Sequence, residues 1–540
     1  MQVIVPKVKG QSTPAIKLIQ LRSPMLILIS CLLLFVTALT LIVLRAVQPN
    51  ARYTWLVAVG GAILALVSVV MWQVQIPFDL VLPAWQPVTL FTSPILFRGD
   101  GISWPFALGI AALTLSMLLT VVTRPVFRNS IAWVGTLALG GLGILAVTAD
   151  NPLTLLLVWA VLDITELLTQ LGSVNGSANN EKVVTSFSIH ALGIGLLLWA
   201  YIISIANGNA FDFQSMSAVS GLYLISAAGL RLGVFPFHLT YASESMLRHG
   251  FGTSLRLISA ASSLILLGRI PAGGLHSLAS IFLLILATLA AIYGGWMWLR
   301  APDELNGRPY WTISLASLSI IASLSGNPLG VVAWGCALIL VGGALFLTSV
   351  QLVWLNRIML LGIWSLSSLP FSLTASAWLG SLGFFLPFVV IAQALLMAGF
   401  IRHALRPAGR DSLDSQPGWT RAVYPSGIII LVAFQFLLGL MGWDGAFQVG
   451  AWLQALITLL LTLGLVWATP RFRILNPIRT HWVTSTTSNL NGIYHGLWSL
   501  YRTLGNIAQA ITGMLEGEGG IMWTLLFLVL FVSLLSQGAP

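Results

Sequence analysis

Charge is what this chain has least of. Only 7% of its 540 residues are Asp, Glu, Lys or Arg, where a soluble domain carries about 25%. With 57% hydrophobic residues and a mean hydropathy of +0.93, this excludes a large soluble protein and implies a polytopic membrane protein. Cysteine is nearly absent: Cys31 and Cys336 both sit inside apolar runs. That excludes a disulfide framework and a cysteine-based metal centre. There is no P-loop, no G-x-G-x-x-G after a strand, no cysteine cluster for an iron–sulfur centre and no histidine pair spaced for haem. No cofactor, no metal and no catalytic site of the chain's own are therefore expected. The net charge of +10 is not a nucleic-acid signal, because the basic residues flank apolar runs, where they set orientation. Neither nucleic acid nor a soluble substrate is expected as a partner. The first 24 residues lack the layout of a signal peptide.

What the chain has in abundance is apolar runs. A spanning helix needs about 20 apolar residues. About sixteen segments qualify, near 25–45, 53–74, 103–123, 130–149, 152–173, 183–205, 217–238, 252–270, 276–299, 308–325, 328–354, 357–375, 382–404, 424–442, 449–468 and 521–536. The expected fold class is an all-α polytopic membrane protein with about 14–16 transmembrane helices. Lys and Arg fall in alternate loops, among them Arg124, Arg128, Arg248, Arg300, Arg402 and Arg479, while the opposite loops hold essentially Arg98 and Arg269. This bias puts the first set in the cytoplasm and the N-terminus outside, in a bacterial cytoplasmic (inner) membrane. Lys7, Lys9, Lys17 and Arg22 in the tail point the other way and are outnumbered.

Two stretches are not spans. Residues 76–102 carry Pro77, Pro83, Pro87 and Pro94 between short β-prone pieces, which predicts a hairpin on the outer face. Farther on, Leu490, Ile493, Tyr494, Leu497, Leu500, Tyr501 and Leu504 recur at helical spacing with polar residues between them. That predicts an amphipathic helix within 471–520, lying in the membrane interface or against neighbouring helices. A final span is read at 521–540.

Four short segments stand out in order along the chain. They are Asp100-Gly101-Ile102-Ser103 with Phe106; Arg231-Leu232-Gly233-Val234-Phe235-Pro236-Phe237-His238; Asp303 with Tyr310-Trp311-Thr312-Ile313-Ser314; and Ser368-Leu369-Pro370. They resemble, in turn, the D-G-L-S-x-x-F, K-x-x-x-F-P-F-H, D-x-K-R…A-Y-S-T-I-S and G-L-P-P motifs of the antiporter-like membrane subunits of respiratory complex I, a family shared with multisubunit sodium/proton antiporters. The resemblance implies two inverted five-helix repeats, here roughly 103–238 and 252–404, inside a core at 25–470 that follows a tail at 1–24. Each repeat would contain a broken helix that brings polar groups to the membrane midplane. Pro236 and Gly233 are the expected break in one; Pro370, or the Gly342-Gly343 pair, is expected in the other. The amphipathic segment and last span resemble, in shortened form, the lateral helix of the family's longest member.

The chain departs from the family where protons are handled. The family carries a Glu on its fifth span, a Lys on its seventh, a His on its eighth, and His and Lys residues beyond. By motif position these fall on Ala160, Arg231, Ser259, Leu338, Gly342 and Trp378. Only Arg231 keeps a charge. Arginine does not deprotonate in proteins, whereas a buried lysine releases its proton readily; Arg231 can hold a charge but not relay a proton. Asp163 lies three residues after Ala160 on the same helical face, and Glu166 three further on. A charge in a span needs a partner, so Asp163 or Glu166 is expected to pair with Arg231, as a fixed structural pair or as a relocated proton site. His238, within F-P-F-H, lines the expected break. His190 stands alone mid-span and reads as a satisfied polar contact. Arg256 reads as a span-end residue that snorkels or pairs with Glu244. Asp303, Glu304 and Arg308 read as a solvated loop cluster.

The resemblance implies a membrane-arm subunit of a complex I-like (NADH:quinone oxidoreductase-related) or related ion-translocating complex, mainly structural or coupling, with other membrane subunits and lipid as its partners. Two alternatives stay open. One is an active proton or sodium translocator using the substituted residues. The other is a scaffold subunit of another membrane complex, whether photosynthetic, for inorganic-carbon uptake or hydrogenase-linked.

Overall fold

An apolar run becomes a helix in lipid because only a helix satisfies every backbone N–H and C=O within its own segment. The computed structural model describes residues 25–48, 54–82, 94–123, 130–171, 177–208, 211–213, 215–235, 250–270, 277–350, 352–378, 382–406, 413, 416–442, 452–471 and 499. Among them run α1 (Met25–Val47), α2 (Thr54–Trp72), β1 (Phe78–Val81), β2 (Leu96–Gly99), α3 (Ser103–Thr120), α4 (Ser130–Thr148), α5 (Pro152–Leu171), α6 (Ser177–Ala206) and α7 (Ala218–Arg231). There follow α8 (Phe251–Arg269), α9 (Leu278–Arg300), α10 (Glu304–Leu324), α11 (Pro328–Cys336), α12 (Gly342–Leu347), α13 (Val353–Met359), α14 (Gly362–Leu366), α15 (Leu386–Ala404), α16 (Gly418–Leu437) and α17 (Trp452–Arg471). Ten helical stretches among the described residues are long and apolar enough to cross a membrane. The chain is an all-α, multi-pass membrane protein. The tail at 1–24 and the expected last span at 521–536 lie outside the described residues, as does nearly all of the amphipathic segment. Residues 1–468 form one unit and 469–540 a second.

The layers follow from which faces are apolar. α3 is buried along its whole length, and α8 from Phe251 to Gly268; a helix without a polar face belongs in the centre. α1 and α2 instead present apolar residues outward, among them Leu32, Val36, Leu39 and Leu64. In lipid such a face is matched by its surroundings.

The stretch 76–102 forms a hairpin at its ends. β1 and β2 pair antiparallel with Phe78 opposite Gly99 and Val81 opposite Leu96. A charge cluster ties this hairpin to the helix ends beside it. Arg269 Nη1 lies 2.5 Å from Asp100 Oδ2 and 3.0 Å from Asp150 Oδ1. Arg98 lies 3.6 Å from Asp150 and 3.5 Å from Asp79. Asp100 Oδ1 also accepts the Ser103 backbone N–H at 2.8 Å, fastening the first turn of α3. Burial holds the Asp150 carboxyl above its ordinary range despite the two arginines.

The expected span at 357–375 is not one helix. α13 ends at Met359 and α14 at Leu366, and beyond them Ser368 (φ 57°) and Phe371 (φ 63°) take left-handed backbone on either side of Pro370, where residues other than glycine seldom sit. Side chains satisfy the backbone released there. The Ser368 N–H donates to Thr374 Oγ1 at 3.0 Å, and Gln393 Nε2 donates to the Leu366 carbonyl at 2.7 Å. The Gly342-Gly343 pair does not interrupt its helix: α11 passes through a π-helical segment, Ala337–Val341, and continues as α12. In the first expected repeat α7 stops at Arg231. Gly233 (φ 69°) then turns the chain, with the Val234 N–H donating to the Gly229 carbonyl at 2.8 Å. Pro236 and His238 lie outside the described residues.

Candidate functional site

Helical spacing on α5 assembles the site. Trp159, Asp163, Glu166 and Gln170 recur every three or four residues, so they share one face, and that face is buried. α6 brings His190 against it, α7 ends on Arg231, and α8 supplies Ser259, Ser262 and Ser263.

Arg231 is 3% exposed. Its Nη1 donates to Asp163 Oδ2 at 2.6 Å and its Nη2 to Asp163 Oδ1 at 2.7 Å, a two-point pair. Its Nε donates to Ser263 Oγ at 3.2 Å, and Nη1 also reaches the His190 carbonyl at 3.2 Å. The guanidinium carbon lies 4.2 Å from the centroid of the Trp159 ring, and Trp159 Nε1 in turn donates to the Ser262 carbonyl at 3.0 Å. Helices α5, α6 and α8 thus all grip one side chain. Its stem fits because α6 carries Gly193: a Cβ there would fall 2.6 Å from Arg231 Cγ. Removing one partner of a buried pair costs about 3–5 kcal/mol, so this arrangement resists opening.

Of the two acids expected to reach Arg231, Asp163 makes the contact and Glu166 does not. Glu166 Oε1 accepts from Gln170 Nε2 at 2.8 Å. Its Oε2 makes no hydrogen bond among the described residues and faces His190 Nδ1 at 3.9 Å. His190 is not alone: its Nδ1 lies 3.1 Å from Asp163 Oδ1. A bond to a carboxylate puts the imidazole proton on Nδ1. Two cavities flank this pair, each with room for about one water molecule. One is lined by Asp163, Gln170, Val183 and Phe187, the other by Arg231, Arg256, Ser259 and Thr312.

Asp163, Glu166 and His190 hold donor atoms within 4.8 Å of one another. Both Asp163 oxygens already accept from Arg231, which leaves one carboxylate and one imidazole, short of the four donors of a structural zinc site. The trio does not suit a resident metal ion.

Solved structures with the same fold place this arrangement in context. The chain is similar to one in the membrane-bound sulfane sulfur reductase, an archaeal respiratory membrane complex (TM-score 0.64, 14% identity, covering 94% of this chain and 99% of that one). It is similar to one in the Mrp complex from Dietzia sp. DQ12-45-1b (TM-score 0.65, 14% identity, 95% of this chain), of which it spans 63%. It is also similar to one in respiratory complex I from Thermus thermophilus with bound aureothin (TM-score 0.55, 18% identity, 76% of this chain and 98% of that one). The chain has the fold of an antiporter-like subunit. A scan against protein-family models gives no match, and neither does a search of curated proteins. At such low identity the likeness reaches the fold alone, and the chemistry rests on the side chains.

In this antiporter-like fold, the positions at which the resemblance calls for titratable groups hold few. Ala160 is half-buried on α5, Ser259 lines the second cavity, Leu338 and Gly342 are buried, and Trp378 follows the Pro370 break. Gly342 is not an open seat. A Cβ there would lie 2.5 Å from Trp311 Nε1 and 3.2 Å from Phe346. Trp311 belongs to an aromatic cluster shared by α9, α10, α12 and α15. Trp298 lies 5.3 Å from Trp311, 6.0 Å from Phe346 and 4.2 Å from His403, and Trp311 lies 6.0 Å from Phe400. Trp311 Nε1 donates to the Leu338 carbonyl at 3.4 Å, and Trp378 packs edge-on against Trp334 at 5.8 Å. Apart from His403, this cluster has no group that exchanges a proton.

Arg308 departs from its sequence reading, and Arg256 from one of its two. Arg308 is fully buried, not solvated, with its guanidinium carbon 5.3 Å from the Phe346 ring. The reason is Asp303, which starts α10 by accepting the Asn306 N–H at 2.7 Å. Arg308 therefore falls inside the helix instead of before it. Arg256 is 3% exposed and lines the second cavity instead of snorkelling, and Glu244 lies outside the described residues. His403, which no sequence motif marks, is buried with Nε2 3.0 Å from the Trp298 carbonyl.

Proposed function

We propose that this chain is a membrane-arm subunit of a complex I-like or related ion-translocating complex, with a mainly structural or coupling role. The reading is carried by Arg231: a cation that does not deprotonate, held at two points by Asp163, at a position where the resembling family has a releasable lysine. The rings that fill the space beside Gly342 support it. The similar solved chains belong to larger membrane complexes, and other membrane subunits and lipid would be this chain's neighbours. The Lys and Arg bias favours an N-terminus outside the cytoplasm, and a bacterial cytoplasmic membrane is the proposed location. Repeats at roughly 103–238 and 252–404, an interfacial helix at 471–520 and a final span at 521–540 complete the proposed layout.

Affinity purification of the tagged chain in mild detergent, with mass spectrometry of what accompanies it, tests the reading. A stoichiometric set of membrane and peripheral subunits is expected, and their identity separates a complex I-like assembly from a scaffold role elsewhere. Recovery of the chain by itself under conditions that keep membrane complexes intact overturns the proposal. In reconstituted complexes carrying Asp163→Asn that still assemble, ion-coupled turnover is expected to persist. Its loss with intact assembly would overturn the structural role.

A further inference from the structure

The two acids of α5 are not equivalent. Asp163 has both oxygens in the fork of Arg231. Glu166 has one oxygen held by Gln170, while Oε2 has no hydrogen bond among the described residues although the residue is only 6% exposed. An ionised oxygen left without a donor in an apolar setting is costly, so what faces it decides its behaviour. From its own helix Glu166 meets Asp163 and Gln170; from α6, His190; from α7, Arg231; from α8, Arg256 and Ser259, with Thr312 of α10 on the far wall of the cavity. Asp163 and Arg231 cancel as a pair. The Glu166 carboxyl and the His190 imidazole then lie between two cavities of about water size.

We propose that Glu166 and His190 form a proton-exchange site distinct from the Asp163–Arg231 pair. Glu166 Oε2 takes up and releases one proton, and His190 is the positioning residue that faces it across 3.9 Å. The step is a bare proton transfer. The O–H bond of Glu166 breaks, the proton leaves on cavity water, and a carboxylate remains; nothing is oxidised or reduced. Trp311 and Phe346, which carry no proton, fill the space beside Gly342, so the site exchanges locally without completing a wire through that position. This goes beyond the subunit role and does not depend on which complex the chain joins.

Dicyclohexylcarbodiimide reports the difference between the two acids. A protonated carboxyl adds across its C=N bond to give an O-acylisourea, which rearranges to a stable N-acylurea with no leaving group; a carboxylate locked to a guanidinium does not. The full-length chain in lipid nanodiscs is treated over a pH series, digested and mapped by mass spectrometry. The expected result is modification at Glu166 that falls as pH rises, no modification at Asp163, and loss of the label in Glu166→Gln. His190→Gln is expected to move the pH at which labelling is half lost; an unchanged profile overturns the pairing with His190. Equal labelling of Asp163, no labelling of Glu166 at any pH, or suppression by sodium relative to choline at constant pH each overturns the proposal, the last by making a metal cation the ligand. The central comparison needs no variant, so it does not depend on a mutant folding. Its readout is chemical, so its failure leaves the subunit role untouched, and the converse also holds.

Discussion

Arg231 of α7 meets both oxygens of Asp163 of α5, at 2.6 and 2.7 Å, at a depth where neither side chain reaches solvent. Asparagine at 163 keeps the shape but removes the charge, leaving a buried cation uncompensated. Asp163→Asn is expected to destabilise the chain by about 3–5 kcal/mol, read as a lower thermal midpoint in detergent. Asp163→Leu combined with Arg231→Met should recover most of that loss, because a buried pair replaced by apolar groups of similar volume is often neutral or better. A double variant as unstable as the single one would mean that the contacts of Arg231 with Trp159 and Ser263 matter more than its charge.

Gly342 and Trp311 should behave as a coupled pair. A methyl group at 342 would sit 2.5 Å from Trp311 Nε1, and overpacking of this kind costs about 1–3 kcal/mol. Gly342→Ala is expected to destabilise, and Gly342→Lys to do so more. In combination with Trp311→Phe, the alanine should cost less than the two single effects added together, since the indole nitrogen is gone. A double-mutant cycle of thermal stability measures this. Strict additivity would show that the tryptophan does not hold the space.

Asp150 should give the hairpin end a pH dependence of definite sign. Burial raises its carboxyl above the ordinary 3.8, while Arg269 and Arg98 oppose this. With the folded value above the unfolded one, its contribution to stability is fully present below 3.8 and is lost as pH rises through the folded value. Asp150→Asn cannot ionise. Thermal unfolding over a pH series should therefore show the variant gaining on the parent as pH rises, with the difference vanishing in acid. A parent that gains on the variant with rising pH would reverse the sign and show that the arginines outweigh burial.

Hydropathy and helical period are local properties, and they were enough for the membrane class, for the position of most helices, for the hairpin ends at Phe78–Val81 and Leu96–Gly99, and for the shared face of Asp163 and Glu166. A proline near Leu369 announced an interruption, but not that Ser368 and Phe371 would adopt left-handed backbone with Thr374 and Gln393 satisfying it. Burial of Arg308 was hidden because an Asp-Glu pair looks the same in a loop as at the start of a helix.

What the amino-acid order determined by itself is that this chain lives in lipid, as helices, with an arginine and two acids a turn apart inside its apolar runs. Only tertiary packing decided that Asp163 and not Glu166 receives that arginine, that His190 stands between the two acids, that Gly193 makes room for the Arg231 stem, and that Trp311 fills the space beside Gly342. Those outcomes depend on how each helix is rotated about its axis and how deeply it meets its neighbours, and rotation is settled by the summed contacts of distant segments, which no local spacing records.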